Sequence, residues 1–131
     1  MFFSPKIKKK DNRRVVITGL GVVSSIGIGW EEFWKSLLAG KSGITKISAF
    51  STDQFDHHYA GEVQNFKPGD FIHKKKLGQM GRSSQMAIAA TKLALEDAML
   101  DSKYFEKAGI CLGTTLGESR IIEQIKQNYG I

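Results

Sequence analysis

Residues 13–27 carry the strongest fold signal in the chain and read Arg13-Arg14-Val15-Val16-Ile17-Thr18-Gly19-Leu20-Gly21-Val22-Val23-Ser24-Ser25-Ile26-Gly27. The run from Val15 to Ile17 is β-branched and has no polar alternation, which is typical of a strand buried on both faces of a parallel sheet. Gly19 and Gly21 end that strand and open a glycine-rich loop. The stretch therefore predicts the first strand and turn of an α/β layer.

A strand followed by Gly-x-Gly is also found in dinucleotide-binding folds, where glycines let the backbone approach a pyrophosphate at a helix N-terminus. The spacing in this chain goes against that interpretation. The third glycine of the fingerprint would fall at Ser24, the next helix begins only near Trp30, and Lys41 occupies the region of the expected acidic ribose ligand. We therefore expect no nucleotide cofactor.

Farther along the chain, apolar residues at helical spacing predict three helices, at residues 30–38, 83–99 and 118–127. The second is apolar nearly all round, which indicates a helix inside a larger structure. Two more strands are predicted at residues 59–63 and 108–113. This alternation of strands and helices indicates an α/β fold whose sheet is incomplete.

The net charge of +6 is concentrated in two places. Residues 6–14 contain six lysines and arginines, and residues 74–82 contain four. A basic surface favours acidic partners. Because no zinc-finger spacing, basic zipper or aromatic RNA-binding strand accompanies it, nucleic acid is not the expected partner. We interpret residues 1–12 as a basic flexible tail.

The single cysteine, Cys111, cannot form an internal disulfide, which fits a reducing, cytoplasmic setting. No apolar run approaches the roughly 18 residues needed to span a bilayer. The apolar residues at the N-terminus come before the lysines, the reverse of the order in a secretory signal. We therefore expect neither a membrane span nor a membrane partner.

Residue types that perform nucleophilic or metal chemistry are present, but not in a recognisable arrangement. His57, His58 and His73 lack the spacing of a zinc site, so no metal is expected. Cys111 lies in the third predicted strand, where a buried, inert thiol is the ordinary expectation. The serines and threonines in the glycine-rich loops have no evident base oriented by a third group. From the residues alone, the chain is part of a soluble α/β protein.

Several blocks of the chain, read together, closely resemble the start of the β-ketoacyl-acyl carrier protein synthases. Besides residues 13–27, these blocks are residues 34–44, 60–63, 80–85, 94–98 and 113–118. The resemblance covers about residues 13–127, which match less than half of such an enzyme. It implies that residues 13–131 are the partial N-terminal half of a β-ketoacyl synthase domain, an incomplete portion of a layered, thiolase-like α/β fold.

The resemblance also implies the chemistry. An acyl group moves from a thioester to an active-site cysteine, and a malonyl-carrier thioester then loses carbon dioxide and attacks it in a Claisen condensation. Acyl carrier protein is the implied partner, the whole enzyme is expected to be a homodimer, and no cofactor is implied.

The catalytic residues of the family come later in the chain than any residue present here. The resemblance therefore implies that the nucleophilic cysteine and the pair of histidines that assist it lie beyond Ile131. We expect no catalytic residue in this chain, and Cys111 does not match the nucleophile.

Four residues match positions that have a role in the family. Leu116 falls where the family lines its acyl pocket, with Thr115 beside it, although core packing is an alternative role for Leu116. Lys74 and Lys75 fall where the family presents positive charge to its acidic carrier protein. Thr115 replaces a more usual glycine and Glu118 is unusual for the fatty-acid enzymes, so fatty-acid and polyketide synthases both stay open.

Two hypotheses follow from different classes of protein. In the first, the chain is the N-terminal part of a condensing enzyme of fatty-acid or polyketide synthesis and is inactive by itself. In the second, it is a non-catalytic module that binds the carrier protein or complements another synthase subunit.

Overall fold

The structure is a computed structural model that describes residues 14–130. Within this range the elements are, in chain order, β1 (Val23–Ser24), β2 (Gly27–Ile28), α1 (Trp30–Leu38), β3 (Thr45–Lys46), β4 (Tyr59–Ala60), a 3-10 helix (Pro68–Asp70), α2 (Lys74–Leu77), α3 (Arg82–Asp97), a second 3-10 helix (Ser102–Lys107) and α4 (Ser119–Tyr129). The predicted basic tail, residues 1–12, and the last residue, Ile131, lie outside the described residues.

Helix α3 is the longest of these elements, with 16 residues. Its sequence is rich in alanine and unbranched side chains, which favour helix formation. Two residues after the helix ends, Met99 adopts a positive φ of 48°. Ala89, near its middle, is completely buried. The three predicted helices are confirmed as α1, α3 and α4, with ends that differ by at most two residues.

The glycine-rich segment after the first predicted strand lies directly against α3. A Cβ atom on Gly19 would overlap the carbonyl oxygen of Ala94, and a Cβ atom on Gly21 would overlap that of Ala90. Only residues without a side chain allow two backbones to approach so closely. The two glycines are two residues apart in the segment, and the two carbonyls are about one turn apart on α3. Each glycine therefore lies against one of the carbonyls.

The C-terminal end of α3 is joined to two other segments through the carboxylate of Asp97. Its Oδ2 accepts a hydrogen bond from the backbone N–H of Leu20 at 2.8 Å, and its Oδ1 accepts one from the indole N–H of Trp30 at 2.9 Å. Since Trp30 is the first residue of α1, one carboxylate connects the glycine-rich segment, α1 and α3.

Two small antiparallel hairpins complete the part of the fold before α2. β1 pairs with β2, with Val23 opposite Ile28, and β3 pairs with β4, with Thr45 opposite Ala60. The strand predicted at residues 59–63 is confirmed only as the two residues of β4. Its partner β3 was not predicted, because two residues are too few to show an alternating pattern.

Two other predicted strands, at residues 15–17 and 108–113, are not strands in the structure. Val15 and Ile110 are 94% and 93% exposed, and Cys111 is exposed where a buried thiol was expected. A strand forms only where a neighbour pairs with its backbone, and within residues 14–130 no strand pairs with either segment. The predictions of two buried strands and a buried thiol were therefore wrong.

The apolar core of the described residues is small. It consists of Ala89 on α3 and of Phe66 and Ile72, which are each 6% exposed. The rings of Phe66 and Phe71 stack with their centroids 6.0 Å apart. Helices and short hairpins around so small a core make a partial α/β fold, as predicted.

Within residues 14–130, no helix is both long and apolar enough to cross a membrane.

The contact between Gly21 and α3 gives a stability prediction. Gly21→Ala places a methyl group against the Ala90 carbonyl, so the segment or the helix must move, and we expect a loss of about 1–3 kcal/mol in the free energy of unfolding. Gly69→Ala is the matched control, because nothing lies within 4 Å of a Cβ at Gly69. Chemical denaturation of both variants measures the difference. Equal stabilities would show that the glycine contact with α3 is not formed.

Candidate functional site

The short helix α2 places Lys74 and Lys75 on the surface. It begins after His73, whose Nδ1 accepts a hydrogen bond from the backbone N–H of Lys75 at 3.3 Å. The side chains of Lys74, Lys75 and Lys76 are all exposed. We call residues 74–76 the lysine cluster. Three adjacent cations on one turn of helix make a concentrated positive potential at the surface, which attracts acidic partners.

Gln85 fixes the lysine cluster relative to α3. Its side-chain amide donates to the carbonyl oxygens of Leu77 at 3.2 Å and Met80 at 3.1 Å. Leu77 is the last residue of α2, and Gln85 lies in the first turn and a half of α3. The amide therefore joins the C-terminal end of α2, and the turn that follows it, to the start of α3.

The loop of residues 113–118 contains Leu116 and Thr115 and is closed by a hydrogen bond of its own. The backbone N–H of Gly117 donates to Oγ1 of Thr114 at 3.0 Å, and Gly117 has a positive φ of 54° that favours glycine. Leu116 lies inside this turn, and the residue is 76% exposed. The loop thus presents a large apolar side chain on a turn whose backbone is held.

Glu118 anchors that loop to the N-terminus of α3. Its Oε1 accepts a hydrogen bond from the backbone N–H of Ser84 at 2.6 Å, and the hydroxyl of Ser83 donates to the carbonyl of Gly117 at 2.8 Å. The N-cap residue of α3, Gly81, has no side chain that could accept a hydrogen bond from the N–H groups of the first turn. A Cβ on Gly81 would overlap the Glu118 carboxylate, so the glycine makes the room that the carboxylate occupies.

The electrostatics of this contact favour the charged form of Glu118. Hydrogen bonds from the side chain and the backbone N–H of Ser84 hold the pKa of the carboxyl below its ordinary value of 4.5. An anion at the N-terminus of a helix also meets the positive end of the helix dipole. The sequence marked Glu118 as the start of the last helix and as unusual for the fatty-acid enzymes, but it did not predict this contact, because nothing local links Glu118 to Ser84, 34 residues earlier.

Arg82, the first residue of α3, holds a third segment at the same helix end. Its guanidinium donates to the carbonyl of Val63 and lies 5.6 Å from the centre of the Phe66 ring. Beside it, Glu62 accepts hydrogen bonds from the hydroxyl of Ser48 at 2.7 Å and from the backbone N–H groups of Ser48 and Ala49. These bonds, above all that from the Ser48 hydroxyl, lower the pKa of Glu62 from its ordinary value of 4.5.

A groove of about 440 Å³ lies between this helix end and α4. Residues 78–82 and Gln85 form one wall, and Ile121 and Gln124 of α4 form the other. We call the whole region the α3 junction: the lysine cluster, residues 78–85 and the loop of residues 113–118. The structure therefore brings the segments that carry all four predicted site residues to one end of one helix.

Other residues singled out in the sequence lie elsewhere. Cys111 is exposed in the segment before the 113–118 loop. The Nδ1 atom of His58 lies 2.9 Å from the hydroxyl of Thr52, a buried residue, so this histidine takes part in a loop contact. Among residues 14–130, no three histidine, cysteine, aspartate or glutamate side chains lie close enough together to hold a metal ion.

The roles of Leu116, Thr115, Lys74 and Lys75 stay predictions, since their positions alone do not show what they bind. The expectation that the nucleophilic cysteine and the histidine pair lie beyond Ile131 also stays a prediction, because the described residues end at Gly130.

Three residues of the α3 junction, Glu118, Gln85 and Arg82, were not predicted as site residues. Each acts through a hydrogen bond to a distant or backbone partner. A local sequence pattern does not reveal such bonds, so the unusual glutamate at position 118 and the family-like block of residues 80–85 did not show that these side chains join the segments.

Comparison with known proteins gives one family. Residues 12–130 match the model of the beta-ketoacyl synthase N-terminal domain. The chain is 39% identical over 114 residues to 3-oxoacyl-[acyl-carrier-protein] synthase 2 of Staphylococcus aureus strain COL, a match of 86% of this chain and 28% of the relative. It is 39% identical over 113 residues to the enzyme of the same name from Vibrio cholerae serotype O1, a match of 85% of this chain and 27% of that protein.

Among solved structures, the fold matches the ishigamide ketosynthase/chain length factor with a TM-score of 0.75 and 41% sequence identity. That match covers 90% of this chain and 30% of the solved chain. The chain therefore spans less than a third of the length of the proteins that it matches.

The lowered pKa values of Glu62 and Glu118 give a pH prediction. Because each carboxylate is stabilised in the folded protein, its contribution to stability is present above pH 4.5 and is lost as the pH falls through the folded pKa. We expect NMR titration of the two carboxyl carbons to give midpoints below 4.5. Ser48→Ala should raise only the midpoint of Glu62, and Ser84→Ala only that of Glu118. Midpoints at or above the ordinary value would contradict both networks.

Proposed function

This chain belongs to the β-ketoacyl synthase family, and on that premise we propose that it is the N-terminal part of a condensing enzyme acting on carrier-bound acyl chains. The match of residues 12–130 to the family's N-terminal domain is the observation that supports this most strongly. The names of the relatives leave both fatty-acid and polyketide synthesis open, since one group are 3-oxoacyl-carrier synthases and the solved structure is a ketosynthase.

The reaction proposed for the whole enzyme has two steps. A cysteine thiolate attacks an acyl thioester, so that the acyl group moves to the cysteine and the carrier leaves as a thiolate, which takes up a proton from solvent. The malonyl-carrier thioester then loses carbon dioxide, and the resulting enolate attacks the acyl-cysteine. The new carbon–carbon bond gives a 3-oxoacyl-carrier product and restores the thiolate. Donors that stabilise the enolate and the tetrahedral oxyanion lower the barrier of these steps.

In this proposal the chain contributes binding surface, and the nucleophilic cysteine and its two histidines lie beyond Ile131. Cys111 is exposed, and among residues 14–130 no hydrogen bond joins it to a histidine or other base that could activate it. An unactivated thiol of this kind is a weak nucleophile, which supports the assignment of the nucleophile to another part of the enzyme.

The acyl pocket is proposed to include Leu116, with Thr115 beside it, and the size of Leu116 limits the chain that fits. The bond from Gly117 to Thr114 holds the turn around Leu116 and supports this role. A side chain that selects by shape needs a fixed backbone.

The lysine cluster is proposed to dock the acyl carrier protein through Lys74 and Lys75. Its side chains are exposed, and Gln85 fixes α2 to α3, so the charges have a defined position relative to the 113–118 loop. Surface charges of this kind speed encounter with an oppositely charged partner and are sensitive to salt. We further propose a cytoplasmic setting, which suits the free thiol of Cys111, and a homodimer for the whole enzyme.

Activity assays test the catalytic part of this proposal. The complete gene product that contains this sequence is expected to release carbon dioxide and form a 3-oxoacyl product from malonyl-carrier and acyl-carrier thioesters. The 131-residue chain alone should show no turnover. Cys111→Ala in the complete protein should leave turnover unchanged. Turnover by the chain alone, or its loss on substitution of Cys111, would contradict the assignment of the nucleophile to another part of the enzyme.

Binding assays test the docking surface. Lys75→Glu is expected to weaken binding of the acidic carrier about fivefold at low salt, which corresponds to about 1 kcal/mol, and less at high salt. The matched control is Lys92→Glu, which makes the same charge change about 15 Å along α3 from its N-terminus. An equal effect of both substitutions would show that only net charge matters. Carrier binding by a complete protein that does not condense would instead favour the non-catalytic module.

A further inference from the structure

We propose that Glu118 is a positioning residue for Leu116, and that its anchorage on α3 sets the length of acyl chain that the pocket accepts. This inference rests on the proposed function, because it takes Leu116 as part of an acyl pocket. It adds a residue that touches neither substrate nor reacting atoms and acts through the loop backbone.

The geometry supports a fixed path from Glu118 to Leu116. Glu118 and Gly117 are each bonded to the first turn of α3, through Ser84 at 2.6 Å and Ser83 at 2.8 Å. Leu116 is the residue directly before this anchored pair. Since the next peptide unit is held to a rigid helix, Leu116 has little freedom to move its backbone away from that helix end.

The other side of Leu116 is held as well. The Gly117 N–H bonds back to the Thr114 hydroxyl at 3.0 Å, which closes the turn that contains Leu116. Gly117 has the positive φ of 54° that this turn requires. The turn fixes the shape of the loop, and Glu118 fixes where that shape is placed on the molecule.

The anchor is built for a carboxylate rather than for packing in general. The N-terminus of α3 has backbone N–H groups without helical acceptors, and its cap residue, Gly81, supplies no side-chain acceptor. The glycine also leaves the space that the Glu118 carboxylate fills. A charged acceptor at this point gains from the helix dipole, so the bond to Ser84 is stronger than that of a neutral group.

The position of the Leu116 side chain affects the length of the acyl chain that fits the pocket. A difference of one methylene in an apolar pocket changes specificity by roughly tenfold or more, so a small displacement of the Leu116 side chain alters which chain lengths fit. Release of the anchor should therefore change the preference between acyl chains, and not only the overall rate.

The test compares kcat/KM for a short and a long acyl-carrier thioester in the complete gene product. Glu118→Ala is expected to change the ratio of the two values by roughly threefold or more, in the same direction as Leu116→Ala. Ser83→Ala, a milder change that removes only the bond to Gly117, should shift the ratio the same way. Asp97→Asn is the matched control, since it weakens the carboxylate contacts at the opposite end of α3 and should leave the ratio unchanged.

Hydrogen exchange of the Gly117 amide gives a readout that does not need activity. Glu118→Ala should speed exchange of this amide, and Asp97→Asn should not. An unchanged ratio in Glu118→Ala, with a changed ratio in Leu116→Ala, would overturn the inference and leave the proposed function standing. Unchanged exchange would also overturn it. If the unsubstituted protein does not condense at all, the proposed function fails, and the exchange result alone decides whether Glu118 holds the loop.

Discussion

Contact between glycine backbone and the backbone of α3 is the constraint on which the rest of the structure depends. Gly19 and Gly21 lie so close to the carbonyls of Ala94 and Ala90 that no side chain fits between them. This places the glycine-rich segment along the C-terminal half of α3, and the loop that leads into α1 follows from it. The glycine-rich turn, which in the sequence suggested phosphate binding, therefore has a packing role. Its glycines allow the segment to approach the backbone of α3 closely.

Each end of α3 is then joined to other segments by one carboxylate, but the two ends differ in their electrostatics. Glu118 lies at the N-terminus, where the helix dipole favours an anion. Asp97 lies at the C-terminus, where the dipole does not, and its two oxygens instead accept hydrogen bonds from Leu20 and Trp30. An unfavourable charge position is thus offset by two directed donors. The proposed docking and pocket segments lie at the N-terminal end of α3. The glycine-rich segment and the start of α1 are bonded to its C-terminal end.

The parts of the fold that the sequence predicted well are those encoded locally. Helices α1, α3 and α4 follow from apolar residues at helical spacing, and their predicted ends differ from the observed ones by at most two residues. The strands at residues 15–17 and 108–113 were wrong as predictions because strand formation depends on a partner that the local pattern does not contain. The same limit applies to the site. Lys75 and Leu116 were found through resemblance to a family, whereas the bond between Glu118 and Ser84 joins residues far apart in the chain.

The exposed apolar segments of this polypeptide favour association between copies of the chain. Val15 and Ile17, at 94% and 84% exposure, and Ile110, at 93%, combine β-branched side chains with backbone groups that no strand within residues 14–130 pairs. Exposed β-branched segments whose backbone groups are unpaired are sites for pairing with other chains. In concentrated solution, the 131-residue chain by itself is therefore prone to aggregation through intermolecular β-pairing at these two segments.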